Sequence, residues 1–185
     1  MQFRAITLSG EVGSGKSSIA RELGKLLPDW RLVNTGQRFR DFCASKGMSI
    51  QQVAQLPDQV HQEFDMAQRD LLAAEANIIV EGRLAGWLSR DFEYVFRIWC
   101  NAPVDLRAQR LVEREGISFE RALSELHHRD QGDLHKYRRV YALHDYRDPA
   151  FYHLHLDTSQ HNPAELAHLA LQSAGSDAHV RSARS

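Results

Sequence analysis

The sequence predicts an α/β domain in which one mostly parallel, five-stranded sheet carries helices on both faces. Three observations lead there. Short apolar runs of strand length alternate with longer stretches whose apolar residues recur at helical spacing. A glycine-rich segment joins the first such strand to the first helix. The chain has 185 residues, 43% apolar and 25% charged, which is enough for one core and too little for two.

Residues 4–9 (RAITLS) form the first strand and run into the glycine segment. Residues 16–27 follow as a helix with Ile19, Ala20, Leu23, Leu26 and Leu27 on one face, stopped by Pro28. Residues 31–34 (RLVN) make a second strand. A helix over 36–46 ends at Gly47, and a longer one covers 57–76. The run 77–80 (NIIV) is a buried strand leading into Glu81-Gly82-Arg83, and 94–100 (YVFRIWC) is another. A helix over 103–115 closes at Gly116, and Ser118 caps a long polar helix reaching about Tyr141. Residues 152–157 (YHLHLD) are the last strand. Asn162, Pro163 and Glu165 supply the cap, first residue and first-turn acid of the last helix. Residues 1–172 thus read as a single domain, and 173–185, small and polar without periodicity, as a flexible tail.

Charge and cysteine content exclude several classes. Twenty-three Lys and Arg against 24 Asp and Glu leave no net positive charge for nonspecific nucleic-acid binding. No segment approaches 18 apolar residues and no leader is evident, so a soluble, cytoplasmic protein with no membrane or nucleic-acid partner is expected. Cys43 and Cys100 have neither metal-ligand spacing nor disulfide density, in keeping with a reducing compartment. His153, His155 and Asp157 share one face of the last strand. Period-two alternation alone produces that pattern, and Mg²⁺ prefers oxygen ligands, so no metal role is assigned to them.

The strongest chemical signal is Gly10-Glu11-Val12-Gly13-Ser14-Gly15-Lys16-Ser17, which matches G-x-x-x-x-G-K-[ST] at every fixed position. Its glycines let backbone N–H groups, those of Ser14, Ser17 and Ser18 among them, turn toward phosphate oxygens at a helix N-terminus. Lys16 would reach the β- and γ-phosphates, and the Ser17 hydroxyl would ligate Mg²⁺. ATP and Mg²⁺ are therefore the expected cofactors. A guanine-nucleotide switch needs N-K-x-D and D-x-x-G segments, and neither is present. Kinases of the shikimate type carry paired aspartates on the second strand, where this chain has Val33-Asn34-Thr35.

Phosphoryl transfer requires cations converging from several elements. Arg83 stands just past the carboxyl end of a strand, where ligands bind in open α/β sheets. Arg107, Arg110 and Arg114 fall on one helical face, and Arg129, Asp133 and Lys136 on the next. A charged helical hairpin of this kind reads either as a closing lid or as a solvated, salt-laced surface.

These stretches resemble the cytidylate kinases of the compact type best represented in archaea. The resemblance spans about residues 3–158 and rests on ITLSGEVGSGKSSIARELG (6–24), NTGQRFR (34–40), Asp65, EGRLAGW (81–87), Arg110-x-x-x-Arg114-Glu-Gly, Arg129 with Lys136-Tyr137, and Asp157-Thr158. It implies a P-loop three-layer sandwich with nucleoside-monophosphate-binding helices near 36–76 and a lid near 115–147. It also implies phosphorylation of CMP or dCMP by ATP. A kinase for another small acceptor and a non-catalytic nucleotide switch are the alternatives.

By resemblance, Gly36, Arg40, Asp65 and Arg83 contact the acceptor nucleotide. Lys16, Arg83 and Arg129 serve the transferred group, and Arg110 and Arg114 serve ATP. Lys136 stands where the family usually has arginine. A surface role is the alternative for Arg40 and Asp65. Asn34 and Gln37 are candidate amide partners of the base. Glu81 either orients a metal-bound water or pairs with Lys16 or an arginine. Glu11 places a carboxylate at a variable loop position, which reads as solvent-facing. A monomer is expected, because a helical lid has to move.

Overall fold

A computed structural model describes residues 3–45, 47 and 57–182. In chain order the elements are β1 (Ala5–Gly10), α1 (Lys16–Leu26), β2 (Arg31–Asn34), α2 (Thr35–Ser45), α3 (Asp58–Ala74), β3 (Ile78–Glu81) and α4 (Ala85–Leu88). Then come β4 (Val95–Asn101), α5 (Val104–Glu115), α6 (Phe119–Tyr141), a 3₁₀ turn (Pro149–Phe151), β5 (Leu154–Asp157) and α7 (Pro163–Ser182). The strands form one sheet in the order β2-β3-β1-β4-β5, with every pairing parallel. The α/β expectation is met.

β1 lies at the centre because it can be covered on both faces: all six of its residues are buried. Ile6 and Leu8 point to one face and join Ile19 and Leu23 of α1 with Leu166 and Ala170 of α7. Ala5 points to the other, among Val33, Leu72 of α3, Ile78 and Val80. These two clusters make the three layers. The hairpin of α5 and α6 has its own small core of Ala108, Leu111, Ala122 and Leu126, which closes over Val12 of the glycine loop. A fourth, aromatic cluster gathers Trp87, Trp99, Tyr137, Tyr146 and Tyr152 under the carboxyl end of α6.

Element limits differ from expectation for local reasons. α3 stops at Ala74, because Glu75 is already extended and Asn77 takes a left-handed φ of 56°. The predicted end of α2 at residue 46 lies outside the described residues. α4 has only four residues, too few to show a helical period, and all are buried. α7 continues to Ser182, into the segment 173–185 read from composition as a tail; Ala174 on it is still fully buried. Both cysteines are buried and free. Among the described residues no helix is long and apolar enough to cross a membrane, and no three His, Cys, Asp or Glu could together hold a metal.

Candidate active site

The glycine loop runs from the carboxyl end of β1 into the first turn of α1. Gly13 and Gly15 adopt φ values of 77° and 83°, which an L side chain resists. At Gly13 a Cβ would also stand 2.8 Å from the Arg107 carbonyl oxygen, so the loop passes too close to α5 for any other residue. Gly10 ends β1 in register with Cys100. Ser14 is buried, with its Oγ unpartnered. The Ser17 side of the first turn is exposed, and the Ser18 amide bonds to the Gly15 carbonyl at 3.0 Å.

The loop is held from behind by side chains distant in sequence. Arg110 Nη1 donates to the Gly13 carbonyl at 3.0 Å and to Thr158 Oγ1 at 2.9 Å, and its Nη2 donates to the Thr158 carbonyl at 2.7 Å. Thr158 Oγ1 donates in turn to the Ser14 carbonyl at 2.9 Å. Arg107 is buried and donates to the Val12 carbonyl at 3.2 Å, pairing with Glu11 at 3.2 Å and with Asp130 of α6 at 2.7 Å. Arg147 reaches the other Glu11 oxygen at 3.5 Å. Glu11 therefore does not point to solvent. Two guanidiniums draw it away from the phosphate side and turn it into an anchor. The resemblance of Arg110 to an ATP-contacting residue stands beside a different observed engagement, as a brace of the loop.

Lys16 lies in the loop with its Nζ bonded to the Glu11 carbonyl at 3.2 Å. Burial pushes its pKa down, Arg83 and Arg114 push it further, and Glu81 opposes them. An ammonium in that setting is stabilised by an incoming anion. Glu81 itself is buried. One of its oxygens accepts a short bond from Asn34 Nδ2, and the other, Oε2, is buried without a partner. Asn34 also accepts from the Gln37 amide at 2.7 Å, so both ends of its side chain serve the protein.

The remaining cations stand on two arms around a cleft of about 1630 Å³, larger than a pocket for one small ligand. On one arm, Arg40 of α2 is exposed beside Gly36 and, among the described residues, bonded to its neighbour Gln37 at 2.6 Å. Asp65 of α3 is half-buried and accepts from the Tyr141 hydroxyl at 2.6 Å. Burial raises its pKa, while the Tyr141 bond and the Lys136 charge oppose the rise. On the other arm, Arg114 pairs with Glu115 at 2.7 Å and Arg129 with Glu125 at 3.2 Å, both partly exposed. Arg83 pairs closely with Asp133 of α6, which also meets Lys136 at 3.5 Å. The fold thus brings Lys16, Arg40, Asp65, Arg83, Arg114 and Arg129 to one cleft. Thr158, Asp133 and Tyr141 carry structural roles there that no local motif signals, because their partners are far along the chain.

A glycine loop at the end of the central strand of a parallel sheet, opening on a cation-lined cleft, defines a P-loop kinase fold. Solved structures agree at the level of fold. The chain superposes on a gluconokinase from Sinorhizobium meliloti 1021 with a TM-score of 0.68 at 18% identity, covering 100% of this chain and 98% of that one. It superposes on a shikimate kinase from Acinetobacter baumannii with a TM-score of 0.62 at 19% identity, covering 95% and 94%. Sequence relatives are more specific. The chain is 37% identical over 158 residues to the cytidylate kinase of Methanocella arvoryzae, covering 84% of this chain and 87% of the relative. It is 36% identical over 161 residues to that of Pyrococcus abyssi, covering 85% and 86%. Residues 28–160 match the model of the cytidylate kinase-like family. The chain belongs to that family.

Proposed function

We propose that the protein phosphorylates a pyrimidine nucleoside monophosphate, CMP or dCMP, with ATP as donor. The observation that carries this reading is the pairing of one phosphate loop with a second set of cations, Arg40 and Arg83, across a cleft roomy enough for two nucleotides. The bond between the γ-phosphorus and the β,γ-bridging oxygen breaks, and an oxygen of the acceptor phosphate forms the new one, leaving ADP. The acceptor phosphate is already anionic, so no general base is required. What the protein must do is align two anions and neutralise charge on the moving group.

Lys16 and the loop amides hold the donor end. Arg83 leaves Asp133 for an acceptor phosphate, Arg40 grips the same phosphate from α2, and Arg114 and Arg129 close over the transferred group from the hairpin. The site also suits Mg²⁺: the exposed Ser17 hydroxyl and the unpartnered Glu81 Oε2 are hard oxygen donors. Held by these donors, Mg²⁺ would supply charge neutralisation to the transferring phosphoryl group.

The test is ADP formation from Mg·ATP with CMP, dCMP, UMP, AMP and GMP, against a control without acceptor. Saturable turnover with CMP or dCMP well above the others is expected. No turnover with either one overturns the proposal.

A further inference from the structure

α3 meets the base of α6 through a row of contacts at one helical face. Asp58 accepts from Arg139 at 2.8 and 2.5 Å, Gln62 donates to the Val140 carbonyl at 3.4 Å, and Asp65 accepts from Tyr141 at 2.6 Å. Positions 58, 62 and 65 follow helical spacing. Arg69, one turn further, continues the row by donating to the Leu88 carbonyl and by pairing with Asp91 at 3.2 Å. The acceptor arm is therefore fastened to the root of the hairpin arm.

Asp58, Arg139 and Asp65 all line the cleft, but Asp58 is matched by a charged guanidinium, whereas Asp65 meets the neutral Tyr141 hydroxyl. Tyr141 is the last residue of α6, and Ala142 turns the chain away with a left-handed φ of 52°. The Tyr141 ring rests 5.2 Å from Trp87 and 6.4 Å from Tyr137, both buried in the aromatic cluster. Its hydroxyl is thus delivered from a packed base, and it meets only Oδ2. Among the described residues Oδ1 makes no hydrogen bond.

We infer that Tyr141 is a positioning residue for acceptor recognition, holding the Asp65 carboxylate so that its other oxygen meets the exocyclic amine of a cytosine base. This rests on the proposed phosphorylation of CMP or dCMP. A carboxylate accepts from the N4 amine of cytosine and opposes the O4 carbonyl of uracil. A protonated Asp65 would lose that discrimination. The phenol guards against it by donating, which favours the ionised form, as does Lys136 from the same helix. The phenol also fixes which oxygen faces the cleft.

The experiment compares kcat/KM for CMP and UMP in the wild type, Tyr141→Phe, Asp65→Ala and the double variant, with calorimetric CMP affinity where turnover is slow. Tyr141→Phe keeps the ring on Trp87, so thermal stability and the KM for ATP should stay near wild type. The CMP:UMP ratio should fall about tenfold. In the Asp65→Ala background the same substitution should change the ratio by less than about twofold, because its acceptor is gone. A Tyr141→Phe protein with an unchanged ratio overturns the inference, as does an equal effect with and without Asp65. Failure of the wild type to use or bind either CMP or dCMP overturns the proposed function and this inference together; an unchanged ratio in an active enzyme overturns this inference alone.

Discussion

Glu11 occupies a variable position of the phosphate loop, and an isolated carboxylate there would repel a triphosphate. The fold answers with Arg107 and Arg147, one on each carboxylate oxygen, and Arg107 holds the Val12 carbonyl at the same time. Glu11→Ala should therefore weaken ATP use instead of improving it: the loop loses two restraints, and Arg107 keeps only Asp130 and a carbonyl. We expect the KM for ATP to rise about three- to tenfold with little change in the acceptor KM. The loss of stability in urea should be about 1–2 kcal/mol, below the full cost of orphaning a buried charge, because Asp130 remains. Steady-state kinetics and urea titration read both. Loop residues such as Gly13 and Lys16 are legible from local spacing, because the motif is itself a local geometry. Glu11 is not legible that way, since its partner Arg147 lies 136 positions along the chain. Arg110 shows a related limit. Helical spacing places Arg107, Arg110 and Arg114 on one face, but not how far along the axis the loop crosses. Arg107 is consequently buried, Arg110 braces the loop, and Arg114 stays exposed.

The long helix α6 is the element on which both arms depend, and its beginning and end are fastened differently. At the start, Ser118 accepts from the Arg121 amide at 3.3 Å, as its position before a polar helix predicts. Ser118→Ala should cost about 1 kcal/mol in a urea titration while leaving the CMP:UMP ratio unchanged, since the cap lies at the far end from Tyr141. At the other end the helix is held by aromatic packing and by the contacts to α3. Elements with a clear period or an end signal, such as α1, α5, α6 and the strands, were readable from residue order. α4 was not, because four buried residues have no period to display. The reach of α7 to Ser182 also escapes a compositional reading, for the burial of Ala174 in the main core comes from tertiary contact.

At the scale of the molecule, alternating strands and helices announce a parallel sheet but not its strand order; that order, with β3 and β4 flanking β1, is what sets Arg83 beside the phosphate loop. It also seats the two thiols in very different places. Cys100 is fully buried in β4 behind the loop, where its pKa is pushed up to about 12, and Cys43 is 2% exposed in α2 on the cleft wall. A thiol reagent attacks only a solvent-reached thiolate. Cys43 should therefore be modified at the pace at which the acceptor arm opens, and Cys100 only when the sheet comes apart. Adding CMP should slow modification of Cys43 and leave that of Cys100 nearly unchanged, followed by mass spectrometry of the separated peptides. The chain would then contain two clocks, one keeping the time of an arm and the other the lifetime of the fold.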